Sequence, residues 1–182
     1  MRIGFDFDGL LCLTPFGRLA VHAPSPVPDL PAGYEALYNQ ARSSGPLRLA
    51  VEYLRFAWRT NAADAAAVLH ELTAAHEVYI VTGRSWAGEP LVRRWLRGHG
   101  LDDRIAGIRM APPGLRPAQH KLATARILGI VAHIDDDPRT AYHLAKNGVQ
   151  RVYLLDPAGA HGDAPLPPHL TIIHSLREFA DA

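Results

Sequence analysis

The sequence predicts an α/β protein: a doubly wound parallel sheet with a small helical cap inserted after the first strand. Three observations predict it. Short apolar runs rich in β-branched residues recur along the chain, helical patterns lie between them, and one long segment near the N-terminus breaks the alternation. The first run, residues 2–7, alternates into a strand that stops at Asp8-Gly9. Runs at 78–81, 131–134 and 152–155 share its character and are bounded by polar or turn residues, the pattern of buried parallel strands. Residues 170–173 and 104–108 are further strand candidates.

The helices follow from spacing and end signals. Residues 89–99 place Leu91, Val92, Trp95 and Leu96 on one face, with Arg93, Arg94 and Arg97 largely outside. Residues 117–128 open on Pro117 and stop before Gly129; residues 138–146 open on Pro138 and stop at Asn147-Gly148. From Thr14 to Ala75 the alternation lapses. Residues 23–31 are proline-rich and predict an extended connector. Helical runs follow at 34–42, 47–59 and 62–75, the last leading into the second strand. The expected division is a core of residues 1–13 and 61–182, with residues 14–60 as the cap.

A chain of 182 residues accommodates one such domain with a modest insertion. Nineteen lysines and arginines against eighteen acids leave a formal charge of +1, which predicts no strong attraction to nucleic acid or anionic membranes. Any phosphate affinity must come from local placement of charge. The single cysteine, Cys12, excludes an internal disulfide or a cysteine-based zinc cluster and reads as a buried small hydrophobe. No stretch has the length and apolarity of a membrane span, and acids within the first eight residues are unlike a secretory signal; a cytoplasmic setting is expected.

In an open parallel sheet, ligands bind beyond the carboxyl ends of the strands, and the informative residues fall there. Asp6 and Asp8 lie two apart in an extended segment, so both carboxylates can face one site. One can attack phosphorus while the other protonates the leaving oxygen. Gly9 allows a sharp turn and close approach of phosphate. Alone, this is equally a solvated turn. Thr82-Gly83-Arg84 after the second strand offers a hydroxyl and backbone N–H groups to phosphate oxygens, although Thr-Gly is also a routine turn. Lys121, near a helix start and beside His120, can neutralise phosphoryl oxygens and a carboxylate; a lone helical lysine is usually just solvated. Asp135-Asp136-Asp137 are adjacent acids that repel one another unless a cation compensates them. Magnesium takes such oxygen ligands. Asp135 reads as a metal ligand, Asp136 as a second ligand or orienting acid, and Asp137 as the cap of the next helix.

In this order, Asp6/Asp8, Thr82, Lys121 and Asp135/Asp136 resemble the signature of the haloacid dehalogenase superfamily, over the chain from Arg2 to about Lys146. The resemblance implies Asp6 as nucleophile and metal ligand. Asp8 would be the acid/base that also offers its backbone carbonyl to Mg2+. Thr82 and Lys121 would hold the phosphoryl group, and Asp135, with Asp136, would complete the metal site. Gly9, Gly83, Arg84 and Arg18 are the expected substrate contacts. Retention of Asp8 favours phosphoester hydrolysis over carbon–halogen cleavage. The gap from Asp8 to Thr82 is almost twice that from Thr82 to Lys121, which is similar to phosphatases with a small helical cap after the first strand, 5'(3')-deoxyribonucleotidases among them.

The expected substrate is therefore a small phosphorylated metabolite, with nucleoside monophosphates preferred. Phe16, Arg18 and His22 follow the catalytic loop, and Tyr34, Tyr38, Arg55, Trp58 and Arg59 fall on cap helices, where an aromatic beside arginines could stack a base. A small core within the cap explains Tyr34, Tyr38 and Trp58 equally well. Trp86 could shape the pocket or cover the sheet. Of the ten scattered histidines only His120 stands beside a motif residue. The alternatives are a non-catalytic binding module with the same fold and a phosphatase of macromolecular phosphoesters.

Overall fold

The structure, a computed structural model, describes residues 1–13, 26–39, 46–57, 59–62, 64–160 and 165–181. Phe16, Arg18, His22 and Trp58 lie outside the described residues, as does the side chain of Arg55.

Strand β1 (Arg2–Phe5) opens the chain, and a tight turn follows in which Leu11 and Cys12 both donate backbone N–H groups to the Phe7 carbonyl, at 3.1 Å each. Strand β2 (Cys12–Leu13) pairs antiparallel with β3 (Thr60–Asn61), so the inserted segment leaves and rejoins the core through one short ladder. Between them lie a 3-10 turn at Tyr34–Asn39 and helix α1 (Pro46–Ala57). Helix α2 (Ala65–Ala75) leads into β4 (Glu77–Ser85), and α3 (Glu89–Gly98) into β5 (Gly107–Ala111). Helix α4 (Pro117–Leu128), β6 (Ala132–Asp135), α5 (Pro138–Lys146), β7 (Arg151–Leu155), β8 (Leu170–Ile173) and α6 (Leu176–Ala180) complete it.

Six strands form one parallel sheet in the order β5-β4-β1-β6-β7-β8. Strand order reverses beside β1, so the carboxyl end of β1 sits at the topological switch point where a crevice opens. Two-residue periodicity divides the side chains of β1 between two layers. Ile3, Phe5 and Phe7 enter one apolar cluster with Val68 and Leu69 of α2, Trp95 of α3 and Phe179 of α6. Gly4 and Asp6 alternate with them and face the opposite layer, where α4 and α5 pack on Val81, Val152 and Leu154.

Several expectations shift in detail. The strand expected at 104–108 lies at Gly107–Ala111. Strand β4 runs on through Thr82-Gly83-Arg84, where the sequence suggested a turn; its register with β5 slips between Thr82 and Ser85, an irregularity that re-aims Arg84. The described part of the connector and the 3-10 turn contribute no residue to the lining of the crevice beyond β1. They lie along α4: Gln119 Nε2 donates to the carbonyls of Pro28 and Asp29, at 3.2 and 2.8 Å. Tyr38 contributes to this attachment and not to a separate cap core, its hydroxyl lying 2.8 Å from His120 Nδ1 and 3.3 Å from Thr124 Oγ1.

Candidate active site

The first β1 carboxylate is held entirely by the core. Asp6 continues the ladder by donating its N–H to the Ile134 carbonyl at 3.1 Å, and its Oδ1 accepts from the Phe7 N–H at 2.7 Å. Its Oδ2 lies 2.6 Å from Lys121 Nζ, and the same ammonium donates to Asp135 Oδ2 at 2.7 Å. All three side chains are almost wholly buried. From α4, Lys121 is buried against the two carboxylates at the ends of β1 and β6. The lysine works against its own desolvation, yet the two carboxylates raise its affinity for the proton and keep it charged.

Asp135 ends β6 with both oxygens engaged. Oδ1 accepts from the Asp137 N–H at 3.0 Å, and Oδ2 takes His133 Nε2 at 3.1 Å in addition to Lys121. Burial opposes its ionisation, but Lys121 and His133 outweigh burial and hold it below the usual carboxylate range. Asp6 goes the other way. Burial, followed after the offsetting charge of Lys121 by the repulsion of Asp135, Asp136 and Asp8, raises it well above the ordinary value. One lysine therefore does not neutralise this cluster.

Oxygens of Asp6, Asp135 and Asp136 all lie within 4.8 Å of one another. Three hard oxygen donors, two of them buried and one reluctant to ionise without further positive charge, fit a divalent cation such as Mg2+. Gly9 makes this geometry possible. Its φ is +80°, and a Cβ there would fall 1.8 Å from Asp136 Oδ2. Asp137 takes no place among the three; its side chain caps α5, accepting from the Arg139 N–H at 3.2 Å and the Thr140 hydroxyl at 2.8 Å.

The side-chain carboxylate of Asp8 is not among these three. Arg84 grips it with two parallel hydrogen bonds, Nε to Oδ2 at 2.7 Å and Nη2 to Oδ1 at 2.8 Å, and Arg59 Nη1 also donates to Oδ1. The third side of the Arg84 fork donates to Glu52 Oε2 of α1 at 2.8 Å. Its guanidinium also lies over two rings, 5.9 Å from the Phe7 centroid and 5.6 Å from that of Phe56. Arg84 thus ties α1 to the residues around Asp8. Arg84 and Gly83, expected as substrate contacts, both face the crevice, but the guanidinium of Arg84 is committed to carboxylates. Thr82 is fully buried, its Oγ1 accepting from the Arg84 N–H at 3.3 Å, and it contributes to that loop from beneath.

The crevice encloses about 670 Å³ and is lined by Asp6, Asp8, Gly83, Arg84, Pro117 and Lys121 from the core, with Leu47, Val51 and Glu52 from α1. Sequence reasoning missed Glu52, Arg59 as an Asp8 partner, and His133. A signal existed only for the last, which stands two residues before Asp135 on the same face of the strand. His120 is buried next to Lys121, but its ring serves the fold. Burial depresses it to about 3, so it is neutral, and it bonds Tyr38 and lies 3.2 Å from the Arg109 carbonyl.

Among the described residues no helix is long and apolar enough to cross a membrane. No protein-family profile and no curated protein matches the chain. Solved structures do. A haloacid dehalogenase-like hydrolase from Streptococcus pneumoniae aligns at 17% identity and a TM-score of 0.59, over 99% of this chain and 96% of that one. A haloacid dehalogenase-superfamily hydrolase of subfamily IA, variant 1, from Geobacter sulfurreducens PCA aligns at 16% identity and a TM-score of 0.55, over 99% and 97%. A haloacid dehalogenase phosphatase from Thermococcus onnurineus aligns at 18% identity and 0.50, over 81% and 67%. The chain therefore has the α/β fold of the haloacid dehalogenase-like hydrolases.

Proposed function

We propose that this protein is a Mg2+-dependent phosphatase that hydrolyses small phosphomonoesters through an aspartyl-phosphate on Asp6. One observation carries the reading: a strand-end carboxylate in contact with a buried lysine and within metal-sharing distance of Asp135 and Asp136. When bound, the cation would neutralise charge on Asp6 and on the phosphoryl oxygens. Asp6, Asp135 and Asp136 would hold it.

In the first step an Asp6 oxygen attacks phosphorus, the bond to the leaving oxygen breaks, and Asp8 gives that oxygen a proton. Lys121 stabilises the charge on the equatorial phosphoryl oxygens. In the second, water attacks the same phosphorus, Asp8 accepts its proton, and the bond to Asp6 breaks, releasing inorganic phosphate and restoring the Asp6 carboxylate and the protonated Asp8 that began the cycle. Asp8 must exchange part of its arginine contact for the leaving oxygen, which makes Arg84 and Arg59 the groups that meet substrate as it enters. Leu47 and Val51 on α1 form the wall facing the leaving group, so α1 selects it. Nucleoside monophosphates are the first candidates.

The test is phosphate release from nucleoside monophosphates, sugar phosphates and an aryl phosphate, with and without Mg2+, beside Asp6→Asn. Magnesium-dependent turnover abolished in the variant supports the reading. Turnover that survives in Asp6→Asn overturns it. Folded protein that binds Mg2+ and turns over none of these would favour the non-catalytic alternative.

A further inference from the structure

Burying a histidine imidazole and leaving one ring nitrogen without a hydrogen-bond partner is costly, and native proteins seldom do it without a reason. His133 is such a case. It is fully buried in the middle of β6, its Nε2 lies 3.1 Å from Asp135 Oδ2, and its Nδ1 has no partner. An ionised carboxylate only accepts, so Nε2 carries the proton and Nδ1 the lone pair. Burial, opposed by Asp135, lowers the ring's affinity for a second proton.

The neighbouring strand is shaped around this ring. Gly4 is the register partner of His133 on β1, and a Cβ at Gly4 would fall 2.3 Å from His133 Nδ1. A glycine inside a central strand weakens the strand, and here it marks a close approach. Gly4 and His133 therefore occupy one site together, directly beneath the face that carries Asp6 and Asp135.

We infer that His133 is a positioning residue for the metal site, seated by Gly4, which fixes the Asp135 carboxylate through an Nε2–H donor. Lys121 cannot do this alone, because the same ammonium also serves Asp6 and lies on the substrate side. The Asp137 N–H holds Oδ1, and His133 restrains Oδ2 from the interior of the sheet. Outer partners of this kind orient ligating carboxylates, and their loss costs about 10- to 100-fold in metal affinity. The inference rests on the reading of Asp135 as a metal ligand.

The test measures Mn2+, as a paramagnetic stand-in for Mg2+, by loss of the free-ion resonance signal on titration. Wild type is compared with His133→Leu, His133→Gln and Gly4→Ala, each checked for folding by circular dichroism. His133→Leu is expected to weaken binding about tenfold or more. His133→Gln, whose amide N–H can reach Asp135, is expected to stay within about threefold of wild type. Gly4→Ala, which displaces the intact ring, should follow the leucine variant. Equal binding by His133→Leu and wild type overturns the inference and leaves the metal reading standing, as does a glutamine variant as weak as leucine, which would make the role one of filling space. If the leucine variant does not fold, the contrast of His133→Gln with Gly4→Ala decides: equal affinities overturn the inference. Wild type that binds no Mn2+ sinks both this inference and the metal reading.

Discussion

Asp6 and Asp8 leave the same strand two residues apart, yet they are held by opposite means. Asp6 is fixed by short-range groups of the core: the Phe7 N–H, the Ile134 carbonyl and a buried lysine from α4. Asp8 is fixed by two long arginine side chains, one from the irregular end of β4 and one from the residue just before β3, where the insertion returns. The first arginine is itself anchored to Glu52 on α1. The Asp6 carboxylate is therefore preorganised by the sheet, whereas that of Asp8 depends on where the insertion sits. On the proposed function, the covalent chemistry would stay in place, while the proton donor would be completed only with α1 docked over the crevice.

The largest expected effect comes from breaking the core half. Lys121→Met leaves Asp6 and Asp135 buried beside each other without a cation. Removing one partner of a buried charge cluster costs about 3–5 kcal/mol, and two uncompensated carboxylates put this variant at the upper end. Denaturant unfolding of the metal-free variant measures the loss. Added Mg2+ should recover part of it by binding the folded state alone. A metal-free variant as stable as wild type would mean that the two acids do not share a charge.

Gly9→Ala strikes the same half from the loop side. The added methyl would meet the Asp136 carboxylate, and φ of +80° is unfavourable for alanine. Together these are expected to cost about 1–3 kcal/mol and to weaken metal binding, while the Arg84 grip on Asp8 stays intact. Unchanged Mn2+ affinity in Gly9→Ala would exclude Asp136 from the ligand set.

Glu52→Gln sharpens the comparison from the other side. It leaves Arg84 on Asp8 but removes the charge that ties it to α1, both side chains of the pair being buried. The expected loss is about 1–3 kcal/mol of stability. Turnover should fall while Mn2+ affinity stays at the wild-type value, because none of the three metal-competent acids touches the pair. Weaker metal binding in this variant would show that the halves are not separable.

The same division explains what could be read in the sequence. Asp6, Asp8, Lys121 and Asp135 stand at strand ends or a helix start, and period and punctuation locate those places without knowledge of the fold. So does Asp137 as a cap, since Asp-Pro announces a helix. Glu52 as a partner of Arg84 and Arg59 as a partner of Asp8 were invisible because the insertion brings them there over distances that no local pattern encodes. His133 lay between. The two-residue period puts it on the face of Asp135, but only the pairing of β1 with β6 sets Gly4 opposite it. The course of the 26–39 segment was not legible for a related reason. Proline-rich chain carries no periodicity to say which surface it follows, and its attachment to α4 depends on Gln119 and His120, residues of the partner helix.

That attachment offers the finest test, because it supports the core half from outside the site. Tyr38→Phe removes one hydroxyl within reach of His120 Nδ1, Thr124 Oγ1 and the His120 carbonyl, the last at 3.2 Å. A neutral hydrogen bond of this kind contributes about 0.5–1.5 kcal/mol, and His120 Nδ1 keeps the Thr124 hydroxyl, at 3.5 Å, as a second partner. The ring stays neutral in either protein, since burial holds it at about 3, so the loss should not vary between pH 5 and 8. Lys121 is the next residue along α4, but its side chain is fixed by two carboxylates rather than by the helix surface that Tyr38 covers. Turnover and Mn2+ affinity should therefore match wild type. A fall in turnover with unchanged metal affinity would instead make the 26–39 segment part of the phosphoryl site, acting through the placement of Lys121, and the core half would no longer be independent of the inserted chain.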